Sequence, residues 1–206
     1  MIGIIDYGMG NLRSVERALE AGGARLKRIV SATDLADTSA LVLPGVGAFM
    51  QAVNNLKSQG LWDALREEIR GGKPLLGLCL GLQLLFEASE EFGYGQGLGI
   101  LPGTVRRLPE DVAVPHIGWN QVFPCMADPL FQGIPEGSYF YFLHSYAAQA
   151  SDFSHVAALC RYGCHAFPAV VRRNSIVAAQ FHPEKSQQIG LRFLANFVRS
   201  VEKGQE

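Results

Sequence analysis

Residues 74–83 read Pro-Leu-Leu-Gly-Leu-Cys-Leu-Gly-Leu-Gln, an apolar run with a cysteine between two glycines. Residues 74–78 are short and continuously apolar, which is typical of a strand that is buried on both faces of a parallel sheet. Glycines on both sides of Cys79 remove Cβ atoms that would clash in a sharp turn from strand to helix. The segment therefore predicts a strand, a strained turn at Cys79 and a helix-compatible run over residues 82–88.

The chain before this segment alternates short apolar strands with amphipathic helices. Strands are predicted at residues 2–6, 26–30 and 40–43, and helical spacing follows the first and the third of them. This alternation predicts an α/β fold with a largely parallel central sheet that is covered on both faces. Over residues 98–180 shorter aromatic or alternating runs predict added antiparallel or mixed strands, and the C-terminal spacing predicts a packing helix.

Composition excludes several classes of protein. With 206 residues, 48% of them hydrophobic and 18% charged, the chain is expected to fold as one domain over residues 1–206. A formal net charge of -1 gives no reason to expect nucleic acid or an anionic membrane as a partner, since both normally require a clustered basic face. The sequence has neither an apolar run of about 20 residues nor a basic segment at its start, so we expect a cytoplasmic protein.

The turn at Cys79 carries the first candidate catalytic group. The four cysteines lack regular spacing, which argues against a disulfide framework and leaves a thiol free to act as a nucleophile. The start of a helix favours thiolate over thiol, and the amide of Leu80 would face an oxygen on the carbon under attack. The alternative is a buried structural cysteine, the commonest role of a lone cysteine.

Phe181-His182-Pro183-Glu184 supplies the proton shuttle that a thiolate attacking an amide requires. The segment follows a predicted strand over residues 175–180, so it lies at a strand end, where α/β folds place their sites. The spacing lets Glu184 hold Nδ1–H of His182 while Nε2 faces the thiol. The alternative is a structural histidine. Cys160, Cys164 and His165 loosely resemble a zinc knuckle, but a fourth ligand at suitable spacing is missing, and we expect no metal site.

These motifs resemble those of the class I, triad-type glutamine amidotransferases. The two segments 77–83 and 181–184 are similar to the signatures of that family, and Pro-Gly-Val-Gly at 44–47 is similar to its oxyanion loop. The resemblance implies a three-layer, flavodoxin-like fold with Cys79, His182 and Glu184 as catalytic residues and no organic cofactor. It also implies backbone oxyanion donors at Leu80, Val46 and Gly47, and glutamine contacts at Gly45, Gln83, His144, Ser145 and Tyr146.

Five further segments, at 6–15, 44–49, 116–120, 141–146 and 181–186, resemble the glutaminase subunits of imidazole glycerol phosphate synthases. The resemblance implies a heterodimer in which ammonia passes to a (β/α)8-barrel cyclase in histidine biosynthesis. Free ammonia protonates and diffuses away in water, so a chain without an acceptor site needs a shielded path to a partner. Candidate interface residues are Asn11, Arg13, Trp119, Tyr141 and Lys185, with core packing or helix capping as alternatives.

Three other functions remain open at this point. The chain could serve another synthase, with chorismate, a purine nucleotide or carbamoyl phosphate synthesis as the acceptor. It could be a free-standing cysteine hydrolase of peptides or γ-glutamyl conjugates, which would need no synthase partner. A non-catalytic regulatory or binding module on the same fold is the third, although such a module need not retain Cys79, His182 and Glu184 together.

Overall fold

The computed structural model describes residues 1–203 and contains thirteen strands and five α-helices in that range. The strands are β1 (Ile2–Ile5), β2 (Leu26–Ile29), β3 (Ala40–Leu43), β4 (Leu75–Leu78), β5 (Phe86–Ser89), β6 (Gly95–Gln96), β7 (Leu101–Arg107), β8 (His116–Pro124), β9 (Ser138–His144), β10 (Tyr146–Ala150), β11 (Val156–Tyr162), β12 (His165–Arg173) and β13 (Ile176–Ala179). The helices are α1 (Leu12–Ala21), α2 (Phe49–Ser58), α3 (Leu61–Arg70), α4 (Leu80–Leu84) and α5 (Gln187–Lys203).

A nine-stranded sheet runs through the centre in the order β2-β1-β3-β4-β13-β12-β11-β8-β9. The strands from β2 to β13 pair in parallel, and those from β13 to β9 pair antiparallel. Because parallel neighbours align their carboxyl ends, β4 and β13 deliver the residues that follow them to the same edge of the sheet. Those residues are Cys79 and the segment 180–184.

Alternating strand residues build two apolar cores, one on each face of the sheet. In β4, Leu76 joins the core beneath α1 and α5, whereas Leu75 joins the core beneath α2 and α3. Both neighbours are fully buried, which is why the strand reads as an unbroken apolar run. The predicted three-layer α/β fold with a parallel sheet and added antiparallel strands is confirmed.

A second sheet of four strands, β10-β7-β5-β6, packs its apolar side chains into the core beneath α2 and α3. It explains a wrong prediction, the helix-compatible run over residues 82–88. Helix α4 ends at Leu84, and Phe86–Ser89 is strand β5, paired with β7 and β6. Helix α2 was not predicted, although its buried residues Phe49, Ala52, Val53 and Leu56 recur at helical spacing. Within residues 1–203, no helix is both long and apolar enough to cross a bilayer.

Candidate active site

Cys79 lies on the strained turn between β4 and α4. Its φ of 53° and ψ of −105° fall in a region that residues with a side chain rarely occupy. A Cβ on Gly77 would lie 2.9 Å from Cβ of Ala178, and one on Gly81 would lie 1.8 Å from the carbonyl oxygen of Leu43. Neither position tolerates a larger residue without a backbone shift, so the two glycines let the turn pack against the neighbouring strands.

The thiol of Cys79 is largely buried, with 6% of the residue exposed. Its backbone amide donates to the carbonyl of Ala179 across the β4–β13 pair at 2.8 Å. The Nε2 amide of Gln180 lies 3.7 Å from Sγ, and the carbonyl oxygen of Leu143 lies 3.9 Å from it. Gln180 is a neighbour of the thiol that the sequence did not identify, although its place at the end of β13 was a usable signal.

His182 and Glu184 form a buried pair beyond the end of β13. Nδ1 of His182 lies 2.9 Å from Oε1 of Glu184, and the side chains are 4% and 3% exposed. A single 3₁₀ turn over Pro183–Lys185 brings the two side chains together, and the amide of His182 donates to the carbonyl of Tyr141 at 2.8 Å. Because Nδ1 is occupied by the carboxylate, Nε2 remains available for proton transfer.

Two neighbouring groups shift the pKa of His182 against the effect of burial. Burial by itself would lower this pKa, because it disfavours the charged ring. The electrostatic influence of Cys79 and the Glu184 carboxylate that bonds Nδ1 outweigh burial and raise the pKa of His182 to about 10. The arrangement therefore favours a charged His182 imidazolium at neutral pH, with a proton held ready for a leaving nitrogen.

A cavity of about 290 Å³ opens over Cys79. It contains the predicted substrate residues Gln83, Ser145 and Tyr146 together with Glu91, which the sequence did not identify. Its lining consists of Val46, Gly47, Cys79, Leu80, Gln83, Glu91, Pro115, Leu143, His144, Ser145 and Tyr146. A larger cavity of about 730 Å³ lies at the opposite, amino end of β4 and includes Gly72 and Lys73, away from the thiol.

The backbone donors predicted for an oxyanion are only partly in place. Val46 and Gly47 line the cavity, but the amide of Leu80 donates to the carbonyl oxygen of Gly45 at 3.3 Å. Leu80 is therefore not free to stabilise an oxyanion in this conformation, contrary to the expectation from the turn alone. The reason is tertiary, because the loop after β3 places its own acceptor above the amide.

The wall of the cavity that includes His144 and Tyr146 is held by a chain of hydrogen bonds. Nε2 of Gln83 and Nδ1 of His144 both donate to the carbonyl of Tyr146, each at 2.9 Å. A carbonyl only accepts, so the proton of neutral His144 is on Nδ1 and its Nε2 accepts from Nδ1 of His116 at 3.1 Å. Burial lowers the pKa of His116 to about 4 and that of His144 to about 3. His144 thus shapes the wall, and its ring nitrogens are both used within the protein.

Glu91 reaches the cavity from the turn between β5 and β6. Its Oε2 accepts from the amide of Phe49, the first residue of α2, at 2.6 Å. Glu91 therefore brings a carboxyl group into the cavity that Ser145 and Tyr146 also line. Only its acidic character was visible in the sequence, since no element was predicted for the turn that carries it.

Three of the predicted interface residues cluster on the sheet edge that ends in β9. Trp119 on β8 pairs with Tyr141 on β9, and their rings meet edge to face at 6.0 Å. Nζ of Lys185 lies 5.6 Å from the centre of the Tyr141 ring, and Trp119 is 45% exposed. Asn11 and Arg13 are exposed at the start of α1, which packs against the 3₁₀ turn holding Lys185. The side chain of Asn11 makes no capping hydrogen bond.

A family model described as glutamine amidotransferase class-I matches residues 3–201. The imidazole glycerol phosphate synthase subunit HisH of Syntrophotalea carbinolica is 48% identical over 204 residues, covering 96% of this chain and 98% of that protein. The corresponding subunit of Aquifex aeolicus is 49% identical over 203 residues and covers 97% of both chains.

Solved structures share the fold at lower identity. A crystal structure of a glutamine amidotransferase has a TM-score of 0.77 at 21% identity and covers 98% of each chain. The structure of PurLQS from Thermotoga maritima has a TM-score of 0.73 at 18% identity and covers 100% of this chain and 98% of that one. At such identities the likeness establishes a common architecture.

Proposed function

This chain belongs to the class-I glutamine amidotransferases, and on that premise we propose that it is the glutaminase subunit of an imidazole glycerol phosphate synthase. Similarity to HisH subunits over nearly the whole chain supports the choice of synthase. The observation that carries the chemistry is the strained Cys79 turn beside the buried His182–Glu184 pair. The alternative hydrolase of peptides has no comparable support.

In the first step of the proposed reaction, the Cys79 thiolate attacks the side-chain carbonyl carbon of glutamine. A carbon–sulfur bond forms, and the carbonyl electron pair moves to oxygen. His182 then gives its Nε2 proton to the departing nitrogen, so that ammonia leaves and a γ-glutamyl thioester remains. Glu184 keeps the proton of neutral His182 on Nδ1 and stabilises the ring when it is charged.

In the second step the neutral His182 takes a proton from water, and the resulting hydroxide attacks the thioester. The carbon–sulfur bond breaks, glutamate leaves and Cys79 returns as thiolate. The reaction passes through two oxyanions and needs no metal or organic cofactor. Each backbone donor to such an oxyanion typically contributes about 3 kcal/mol.

The proposed reaction requires the hydrogen bond from the Leu80 amide to the Gly45 carbonyl to break. The Gly45 carbonyl belongs to the same peptide unit as the amide of Val46, so a rotation of that unit would release Leu80 and turn the Val46 amide toward the cavity. Gly45 has no Cβ, which lowers the barrier to rotation, and Gly47 has a φ of +109°. We therefore place Leu80, Val46 and Gly47 at the oxyanion only after this change.

The cavity offers complementary groups for glutamine. The Glu91 carboxylate suits the α-ammonium group, while the backbone and hydroxyl groups of Ser145 and Tyr146 suit the α-carboxylate. Gln83 braces the wall through the Tyr146 carbonyl. We place the peptide unit of Gly45 beside the substrate amide. The position has no room for a side chain, because a Cβ there would lie 2.3 Å from the hydroxyl oxygen of Tyr7.

Ammonia is proposed to pass to a (β/α)8-barrel cyclase in a heterodimer. The aromatic edge of Trp119 and Tyr141, with Lys185 and the nearby Asn11 and Arg13, is the proposed interface, because aromatic and cationic side chains dominate binding hot spots. The 206 residues would act as one glutaminase domain. We propose a cytoplasmic location, in keeping with the free thiols of all four cysteines.

Glutamate release from glutamine tests this proposal. The purified chain is assayed alone and then with the cyclase subunit and its nucleotide substrate. Strong stimulation that is lost in Cys79→Ala and retained in Cys125→Ala, an exposed thiol outside the site, is the expected result. Full activity without the cyclase would indicate a free-standing hydrolase, and inactivity under both conditions would contradict the assignment to this synthase.

A further inference from the structure

Asp111, Cys164 and His165 bring a carboxylate, a thiol and an imidazole together on the surface, away from Cys79. Sγ of Cys164 lies 3.4 Å from Oδ2 of Asp111 and 3.4 Å from Nε2 of His165. That Nε2 lies 2.8 Å from Oδ1 of Asp111. Within residues 1–203, this is the one group of three potential metal ligands whose donor atoms all lie within 4.8 Å of one another.

The donor set and its spacing match a tetrahedral zinc-type ion. With bonds of about 2.3 Å to sulfur, 2.05 Å to nitrogen and 2.0 Å to oxygen, such an ion separates sulfur from nitrogen by about 3.5 Å and nitrogen from oxygen by about 3.3 Å. The observed separations are 3.4 Å and 2.8 Å, so binding requires the ligands to open by about half an ångström or less. The side chain of His165 is 38% exposed and that of Asp111 56%, which leaves room for water as fourth ligand.

Backbone structure holds the three ligands in place. Cys164 and His165 lie at the turn of the β11–β12 hairpin, where Tyr162 pairs with His165. The hydroxyl of Tyr162 donates to the carbonyl of Ala113 at 2.8 Å, two residues beyond Asp111. A Cβ on Gly163 would lie 2.6 Å from Cγ1 of Val112, so the loop sits directly on the turn. The loose zinc-knuckle pattern in the sequence, Cys160, Cys164 and His165, lacked a ligand because Asp111 is distant in the chain. Cys160, which that pattern included, is buried elsewhere.

We propose that Asp111, Cys164 and His165 bind one divalent ion of the zinc class, with water as the fourth ligand. On binding, the Cys164 thiol releases its proton to solvent, and the hydrogen bond between His165 and Asp111 is replaced by bonds to the ion. Without the ion, Nε2 of His165 donates its proton to Asp111; when Nε2 binds the ion, the proton of the neutral ring is on Nδ1 instead. The ion ties the hairpin to a loop that ends at Pro115, which lines the glutamine cavity. It steadies that wall and takes no part in hydrolysis.

Cobalt titration of the full chain tests the site, because a thiolate bound to Co²⁺ gives a charge-transfer absorption that other ligands do not. All proteins carry Cys79→Ala, so that the catalytic thiol cannot contribute. Expected is one equivalent of thiolate-bound Co²⁺, displaced by Zn²⁺. Binding should weaken at least tenfold in Cys164→Ser and in Asp111→Asn, and should be unchanged in Cys125→Ser, which removes another exposed thiol.

Circular dichroism confirms that each variant is folded, and zinc should raise Tm in the parent and not in Cys164→Ser. The proposal is overturned if no thiolate band appears, or if the band survives Cys164→Ser. It is also overturned if Cys125→Ser removes the band. Glutaminase activity is not the readout, so the result is independent of the proposed synthase.

Discussion

Replacing Glu184 by Gln removes the carboxylate that holds His182 and leaves a side chain of nearly the same size. Raising the pKa of His182 from 6.5 to about 10 corresponds to about 5 kcal/mol in favour of the charged ring. Cys79 contributes more of this free energy than Glu184 does, and the two contributions together must also offset the cost of burying the charged ring. The share of Glu184 is therefore about 2 kcal/mol, since its carboxylate is 2.9 Å away and 3% exposed.

The expected loss in kcat/KM for Glu184→Gln is thus about 30-fold, smaller than the loss for His182→Ala, which removes the proton carrier itself. The pKa of His182 is raised in the wild type, so its proton is retained until high pH. In the variant this pKa falls, and the alkaline limb of the profile of kcat/KM against pH should move to lower pH.

The assay is glutamate release by the complex between pH 6 and 10. Glu16→Gln is the matched control, because it removes a carboxylate that pairs with Arg28 away from the cavity. An unchanged alkaline limb in Glu184→Gln, or a loss larger than that of His182→Ala, would refute the orienting role of the carboxylate.

Three further outcomes are expected. Gly81→Ala places a Cβ 1.8 Å from the carbonyl oxygen of Leu43 and should cost about 2 kcal/mol or more in urea unfolding, together with activity. Burial lowers the pKa of His144 from 6.5 to about 3, so the stability that the neutral ring contributes is lost as pH falls through this window. Between pH 6.5 and 4, His144→Asn should therefore reduce the acid loss of unfolding free energy by about 3 kcal/mol. Trp119→Ala should weaken cyclase binding at least tenfold by calorimetry, whereas Phe153→Ala, which removes a 71% exposed ring, should not.

Local patterns in the sequence predicted the structure well where a single physical requirement selects one type of residue. The glycines on both sides of Cys79 predicted a turn without room for side chains at those two positions. The structure shows the atoms with which such side chains would collide. Unbroken apolar runs foretold strands buried on both faces, and β3 and β4 have that pattern. The spacing of apolar residues and the positions of glycines are local properties of the sequence, so they can be recognised without the tertiary structure.

Local sequence patterns gave wrong predictions where pairing with a distant segment decides the structure. Residues 82–88 suit a helix by composition, but Phe86–Ser89 pairs with β6 and β7, strands that come later in the chain. Pairing energy between distant segments overrides such weak local preferences.

The sequence by itself determined the α/β class, the strained nucleophile turn and the spacing of His182 and Glu184, since each depends on residues a few positions apart. Only the tertiary structure decided that Glu91 lines the cavity and that the side chain of Gln180 lies against the thiol. It also decided that Asp111 meets Cys164 and His165, and that the Gly45 carbonyl accepts a hydrogen bond from the Leu80 amide. Those contacts join segments tens of residues apart. Their geometry follows from how sheets and loops pack, which no local pattern encodes.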